Sequence, residues 1–308
     1  MVRFVRTYYC CLNRDAANAY MSALNAAGYV RVFEPSSADF LLWDYVYRRE
    51  NIEAMFVGKP IFVYPHTPYS WFVWDGICPH GRVDVNFVAG ESAKKGLKSF
   101  GYANRIEVCG FPRCRVRPFT PTTGKKLLFA PAHPLNERRV FPMPENRAQH
   151  LLVMRWIVDN KHHFDEIRVR YGTDLSVYGF DEFKNESGIK FELAGELSVA
   201  DSQASRDWAD VIISTGTFGF LAVAQGKPTV MYGYKGVRYS TASGYAKNQH
   251  LYQHIFEFPK PYMEDMTAEQ VLAFRDRENP AVEEWKRGHI GTDFDAEKFI
   301  GVIREFAR

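Results

Sequence analysis

The stretch from Trp208 to Gly233 leaves few folds open to this chain. Val211-Ile-Ile-Ser214 is a short β-branched run without alternation, the pattern of a strand buried on both faces. Thr215-Gly-Thr217 follows as a turn of small residues, then a short apolar helix, then Gly226-Lys-Pro228 as a stop and a second apolar run. Two strands joined by a crossover helix run parallel, so the segment demands a parallel sheet with helices laid on it. Its turn would present hydroxyls and free backbone N–H groups at a helix N-terminus, where the helix dipole favours an anion. A phosphate-bearing ligand is the expected guest, although the same local pattern also serves α/β proteins that bind nothing there.

The rest of the chain repeats the theme of apolar runs alternating with amphipathic stretches. Asn13 to Gly28 reads as a helix closed by glycine, and Asp39–Trp43, Pro60–Pro65, Val85–Val88 and Arg105–Cys109 read as strands, with a short helix over 90–101. Pro118-Phe-Thr-Pro-Thr-Thr-Gly124 lacks apolar periodicity and marks a boundary. Beyond it, Lys126–Ala130 is a strand, His150–Asn160 a helix, and Glu166–Arg170 and Lys190–Leu193 strands. Asp201 to Ala209 is a short capped helix. Near the end, Phe299, Ile303 and Phe306 fall at i, i+4 and i+7 as one helical stripe. The reading is therefore α/β, with one domain over 1–120, a second over 125–293, and a terminal helix over 294–308.

Charge narrows the partners. Residues 1–125 carry 16 Lys and Arg against 10 Asp and Glu, whereas the remainder carries 23 against 26. Arg113, Arg115 and Arg117 would share one side of an extended segment, either as a solvated row or as a surface for an anionic acceptor. No apolar run reaches the ~20 residues of a membrane span, and a cytoplasmic protein is expected. Five cysteines (Cys10, Cys11, Cys78, Cys109, Cys114) show no Cys-x-x-Cys spacing and read as reduced thiols.

Four segments in order resemble the glycerophosphotransferase family that uses CDP-glycerol, and more broadly the two-domain glycosyltransferase fold called GT-B. Tyr64-Pro-His66-Thr-Pro through Asp75 resembles that family's Trp-His-Gly-Thr-Pro block. Val83 to Glu91, Phe100-Gly-Tyr and Gly110-Phe-Pro-Arg113 are similar to the close of its first domain, and Lys125 to His133 to the opening strand of its second. Ala209-Asp210 to Pro228 is similar to its donor-phosphate block, although the family carries Asp-Tyr-Ser-Ser where this chain has Thr215-Gly-Thr-Phe218. The resemblance implies two Rossmann-like domains facing a cleft. It leaves open whether the terminal helix crosses back to the first domain.

Within that frame the chemistry assigns itself by residue type. Ser214, Thr215, Gly216 and Thr217 would hold a donor diphosphate through N–H and O–H groups, with His133, Lys235 and Arg238 as partners to its charge. His66 follows a strand directly and titrates near neutrality, so it is the candidate base, with Asp75 to orient it or replace it. Trp71 and Trp74 are stacking candidates for the acceptor, beside Arg113 and Arg115. A packing or loop role is the competing reading for each of these side chains. No His/carboxylate cluster has ligand spacing, so no metal and no added cofactor are expected.

The expected activity is metal-independent transfer of a sugar from a nucleotide sugar, UDP-type favoured, to a hydroxyl of an anionic acceptor. Hydroxymethylated bases of bacteriophage DNA are one such acceptor. The alternatives are a glycerol- or polyol-phosphate transferase acting on a cell-envelope polymer and a non-hydrolysing sugar-nucleotide epimerase. The epimerase would need several carboxylates about the sugar, which the turn at 215–217 does not supply.

Overall fold

Every pair of neighbouring strands among the described residues is parallel, and the strands form two separate sheets. The computed structural model describes residues 3–7, 14–43, 56–64, 83–99, 102–112, 115–131, 144–172, 174–194, 199–214, 216–231, 266–278 and 280–306. Contacts divide the chain into one unit of Met1–Val116 with Lys286–Arg308 and another of Arg117–Trp285. No helix of the described residues is long and apolar enough to cross a membrane.

The first unit holds β1 (Arg3–Thr7), α1 (Arg14–Ala26), β2 (Val30–Val32), β3 (Phe40–Trp43), β4 (Ile61–Val63), β5 (Val85–Val88), α2 (Glu91–Ser99) and β6 (Arg105–Val108). Its sheet runs β2-β1-β3-β4-β5-β6. Strand β1 was not legible in the sequence, because Arg3 and Arg6 interrupt its apolar character within five residues. One face of the sheet is aromatic: Phe40, Phe62, Tyr64 and Phe87 are buried with Tyr20 and Leu24 of α1. Each such buried side chain stabilises the fold by roughly 1.5–3 kcal/mol.

The terminal helix joins that same core. Its stripe places Phe299, Val302 and Ile303 among the strand aromatics, with the Phe299 ring centroid 4.7 Å from Phe87 and 5.1 Å from Tyr20. The chain leading into it crosses Gly110 backbone to backbone. Gly110 has φ +73°, and a Cβ there would lie 2.3 Å from the Asp293 carbonyl oxygen, so only glycine fits. Asp295 N–H then donates to the Cys109 carbonyl (2.8 Å), tying the helix start to the end of β6.

The second unit holds β7 (Lys126–Ala130), α3 (Pro144–Asn160), β8 (Glu166–Tyr171), α4 (Leu175–Tyr178), β9 (Ile189–Leu193), α5 (Val199–Trp208), β10 (Val211–Ser214), α6 (Gly216–Ala224), β11 (Thr229–Met231) and α7 (Ala268–Ala273). Helix α8 (Pro280–His289) contains the division point, and the terminal helix of the first unit is α9 (Ala296–Phe306). The second sheet runs β11-β10-β7-β8-β9. One face is apolar throughout: Leu127, Phe129, Ile167, Val169, Val211 and Ile213 pack with Met154 and Ile157 of α3. The opposite face is partly apolar, with Leu128 and Ile212 under Ala222 and Phe218 of α6. The alternation of β8 turns Ile167 and Val169 to the first face and therefore Arg168 and Arg170 to the second. Two parallel Rossmann-like units of α/β character are the fold expected from the sequence.

Candidate functional site

Strand β10 ends where the sequence places the anion site. Ser214 is fully buried, paired with Ala130 across the ladder, and its hydroxyl donates to the Ala130 carbonyl at 2.6 Å. That hydroxyl's one proton is held inside the sheet, so Ser214 fixes the ends of β7 and β10 together at their C-terminal edge. Helix α6 opens two residues later at Gly216, at the edge of a parallel sheet where ligands of such folds collect. Its first turn contains Gly216 and Thr217 and no acidic residue, which leaves its positive end without a carboxylate of its own.

The helix body explains why this turn is fixed. Phe220, Leu221, Ala222, Val223 and Ala224 are all buried, so α6 cannot slide without exposing apolar surface. Its C-terminus is tied as well. Arg117 N–H donates to the Ala224 carbonyl (2.7 Å) and Thr120 N–H to the Gly226 carbonyl (2.9 Å). Gly226 has φ +70°, and a Cβ there would fall 1.9 Å from the Pro118 carbonyl oxygen.

Where α5 and α6 meet the sheet lies a group of guanidiniums, two on β8 and one on α5, that the sequence reading missed. Arg170 is 8% exposed and donates to the Ser205 hydroxyl (2.6 Å), the Ser202 hydroxyl (3.3 Å) and the Asp201 carbonyl (3.3 Å). Its carbon Cζ lies 6.0 Å from the centre of the Phe218 ring, and that of Arg206 lies 5.2 Å from the same ring. Arg206 is held in turn by Gln225 (2.8 Å) and Gln203 (3.1 Å). Arg168 stacks on Trp208 at 3.9 Å and pairs with Glu192 at 3.3 Å. Burial lowers the pKa of Arg170 from its ordinary value. The signal was present in Glu166-Ile-Arg-Val-Arg170, where alternation puts two arginines on one face of an interior strand.

Asp210, which opens the block, sits at the other end of the strand. Its carboxylate accepts the Lys126 N–H at 2.9 Å, and the Thr122 hydroxyl donates to its carbonyl at 2.8 Å. It aligns β7 with β10 and stays away from the turn at 214–217. Arg115 is exposed in the chain after β6, as is Arg117. His66, Trp71, Trp74, Asp75, Arg113, His133, Thr215, Lys235 and Arg238 lie outside the described residues, as do Cys10, Cys11, Cys78 and Cys114. Cys109 is buried, and burial pushes its thiol up to about 12, far from thiolate chemistry at neutral pH. His162 and His163 form a turn after α3 with ring centres 4.1 Å apart.

One Asp-x-Asp spacing does occur, at Asp293-Phe294-Asp295. Both carboxylates are committed to backbone: Asp293 accepts Val116 N–H at 2.7 Å and Asp295 accepts Lys298 N–H at 2.8 Å. Among the described residues, no group of three or more His, Cys, Asp and Glu could hold a metal ion.

No family model matches the chain, and no curated protein matches it in sequence. Solved structures match it in shape. MnaA of S. aureus, in complex with UDP, is similar at a TM-score of 0.58 with 12% identity, over 99% of this chain and 97% of that one. MurG of Acinetobacter baumannii is similar at 0.53 with 9% identity, over 99% of both chains. The glycosyltransferase SnogD from Streptomyces nogalater is similar at 0.50 with 11% identity, over 99% of this chain and all of that one. The chain therefore has the GT-B architecture along its whole length; the finer likeness to the CDP-glycerol transferases is not supported by these matches.

Proposed function

We propose that the protein is a GT-B glycosyltransferase that takes a nucleotide sugar, UDP-type favoured, and passes the sugar to a hydroxyl of an anionic acceptor. The observation that carries the reading is the start of α6. Helix α6, with no acidic residue in its first turn and a buried body, starts at the C-terminal edge of a parallel sheet. A diphosphate on that turn would gain several N–H and O–H bonds at the positive end of the dipole, from Thr215, Gly216 and Thr217. His133, Lys235 and Arg238 are the side chains proposed to meet its remaining charge. The structural likeness to a UDP complex and to a glycosyltransferase supports the same assignment.

Transfer then needs a base for the incoming alcohol. His66 takes that role in this reading, with Asp75 holding the imidazole and Trp71 and Trp74 stacking on the acceptor. The acceptor is proposed to be anionic because the first unit is the basic one. It carries 19 Lys and Arg against 14 Asp and Glu, whereas the second carries 20 against 22. A hydroxymethylated DNA base and a polyol-phosphate polymer both meet that requirement, with Arg113 and Arg115 as the residues facing the phosphates.

A melting-temperature screen against UDP, dTDP, CDP and GDP tests the donor, since a ligand at a hundred times its Kd adds about 2.7 kcal/mol to the folded state. One diphosphate is expected to raise the midpoint by several degrees. Absence of a shift with all four would overturn the reading. Release of nucleoside diphosphate from the matching nucleotide sugar, measured with hydroxymethylated duplex DNA or a glycerol-phosphate polymer, then separates the acceptors. Epimerised sugar formed with no acceptor present would replace transfer with the epimerase reading. His66→Ala is expected to lower kcat by a factor of about 10²–10⁴ with nucleotide binding retained.

A further inference from the structure

Arg170 is charged and buried, and among the described residues its hydrogen-bond acceptors are all neutral. Its donors go to two serine hydroxyls and one carbonyl. The carboxylates that act on it, Asp201 and Glu192, do so through space, and Glu192 is already paired with Arg168 at 3.3 Å and Lys190 at 3.0 Å. Removing a charge from water costs several kcal/mol and is ordinarily offset by a hydrogen-bonded counter-charge, which Arg170 lacks among the described residues. A protein that needed only to glue α5 to the sheet at this place would do so better with an apolar side chain. The guanidinium also faces one particular target. Phe218, under both Arg170 and Arg206, stands in the first turn of α6, two residues after Gly216.

We infer that Arg170 is a positioning residue for the anionic part of the ligand: with Arg206 it fixes the first turn of α6 through Phe218, and its charge, hydrogen-bonded to no carboxylate among the described residues, favours a diphosphate there over a neutral nucleoside. The inference rests on the donor-site reading above and assigns a residue to it. The cation–π contacts orient the turn, and the buried position keeps water from screening the charge. Arg170 itself does not need to touch the ligand. Among the described residues, Arg170 donates to serine hydroxyls and a carbonyl, and Gln203 and Gln225 accept from Arg206.

The test is calorimetric binding of UDP, dTDP, CDP and GDP, each beside its parent nucleoside, to the full-length protein and to Arg170→Met, Arg170→Lys and Phe218→Leu. For the nucleotide that the unaltered protein binds best, Arg170→Met is expected to weaken the diphosphate roughly tenfold or more and to leave the nucleoside unchanged. Arg170→Lys, which keeps the charge, should recover most of the loss. A merely structural arginine would weaken both ligands alike or neither, and either outcome overturns the proposal. Should Arg170→Met fail to fold, Phe218→Leu decides: a selective loss of diphosphate binding supports the clamp, and unchanged selectivity overturns it. If the unaltered protein binds none of the four diphosphates, the donor-site reading itself fails and this inference with it.

Discussion

The two sheets share one plan but are covered by different chemistry. In the first unit, the face under α1 and α9 is filled by Tyr20, Phe40, Phe62, Phe87 and Phe299. In the second, the face under α5 and α6 carries Arg168 and Arg170, which with Arg206 of α5 lie against Trp208 and Phe218. Rings against rings give a large apolar gain without burying a charge. Guanidiniums against rings give less, and they leave positive charge beside the first turn of α6. The difference separates a face that stabilises from a face that is prepared for something else.

That contrast can be broken by measurement. Phe299→Ala removes the ring shared by Tyr20, Phe87 and Phe294, and should cost about 3–5 kcal/mol in denaturant unfolding. A loss near 1 kcal/mol would mean that the aromatic face is not what holds the first unit. The next effect is pH-dependent. Burial depresses the half-buried His289 imidazole to about 4, so the folded state keeps it neutral while the unfolded chain protonates it near 6.5. Its contribution is complete above about pH 6.5 and is lost as pH falls from there toward 4, by roughly 1–3 kcal/mol. His289→Gln should flatten the stability profile across that window; an unchanged slope would refute the assignment. The smallest effect belongs to the second unit. Thr267 and Gln270 form a capping box on α7, and Thr267→Ala should cost about 1 kcal/mol with nucleotide affinity unchanged.

Much of the architecture was legible because apolar runs and glycine stops report directly on buried strands and helix ends. Val85–Val88, Lys126–Ala130 and Val211–Ser214 are strands at the limits the sequence suggested. Strand β1 was hidden by its arginines, and α3 begins at Pro144, six residues before the apolar stretch that announced it. The candidate site was legible only as a place. Pattern placed a helix start after β10, where α6 begins, and gave Ser214 to a ligand; in the structure its hydroxyl donates to the Ala130 carbonyl. Pattern also passed over Arg170, because an arginine on a strand reads as solvent-facing until the helix above it is known. Which side chain is covered depends on where a crossover helix lies, and that is decided by contacts far apart in sequence.

Helix α6 is anchored at its C-terminal end. The backbone bonds from Arg117 and Thr120, with Gly226 pressed against Pro118, clamp its tail to the first residues of the second unit. Phe220 to Ala224 are all buried, so the body of the helix has little room to shift along its axis. The proposed anion site at the head of this helix and the strap at 117–120 at its tail are therefore two ends of one buried element.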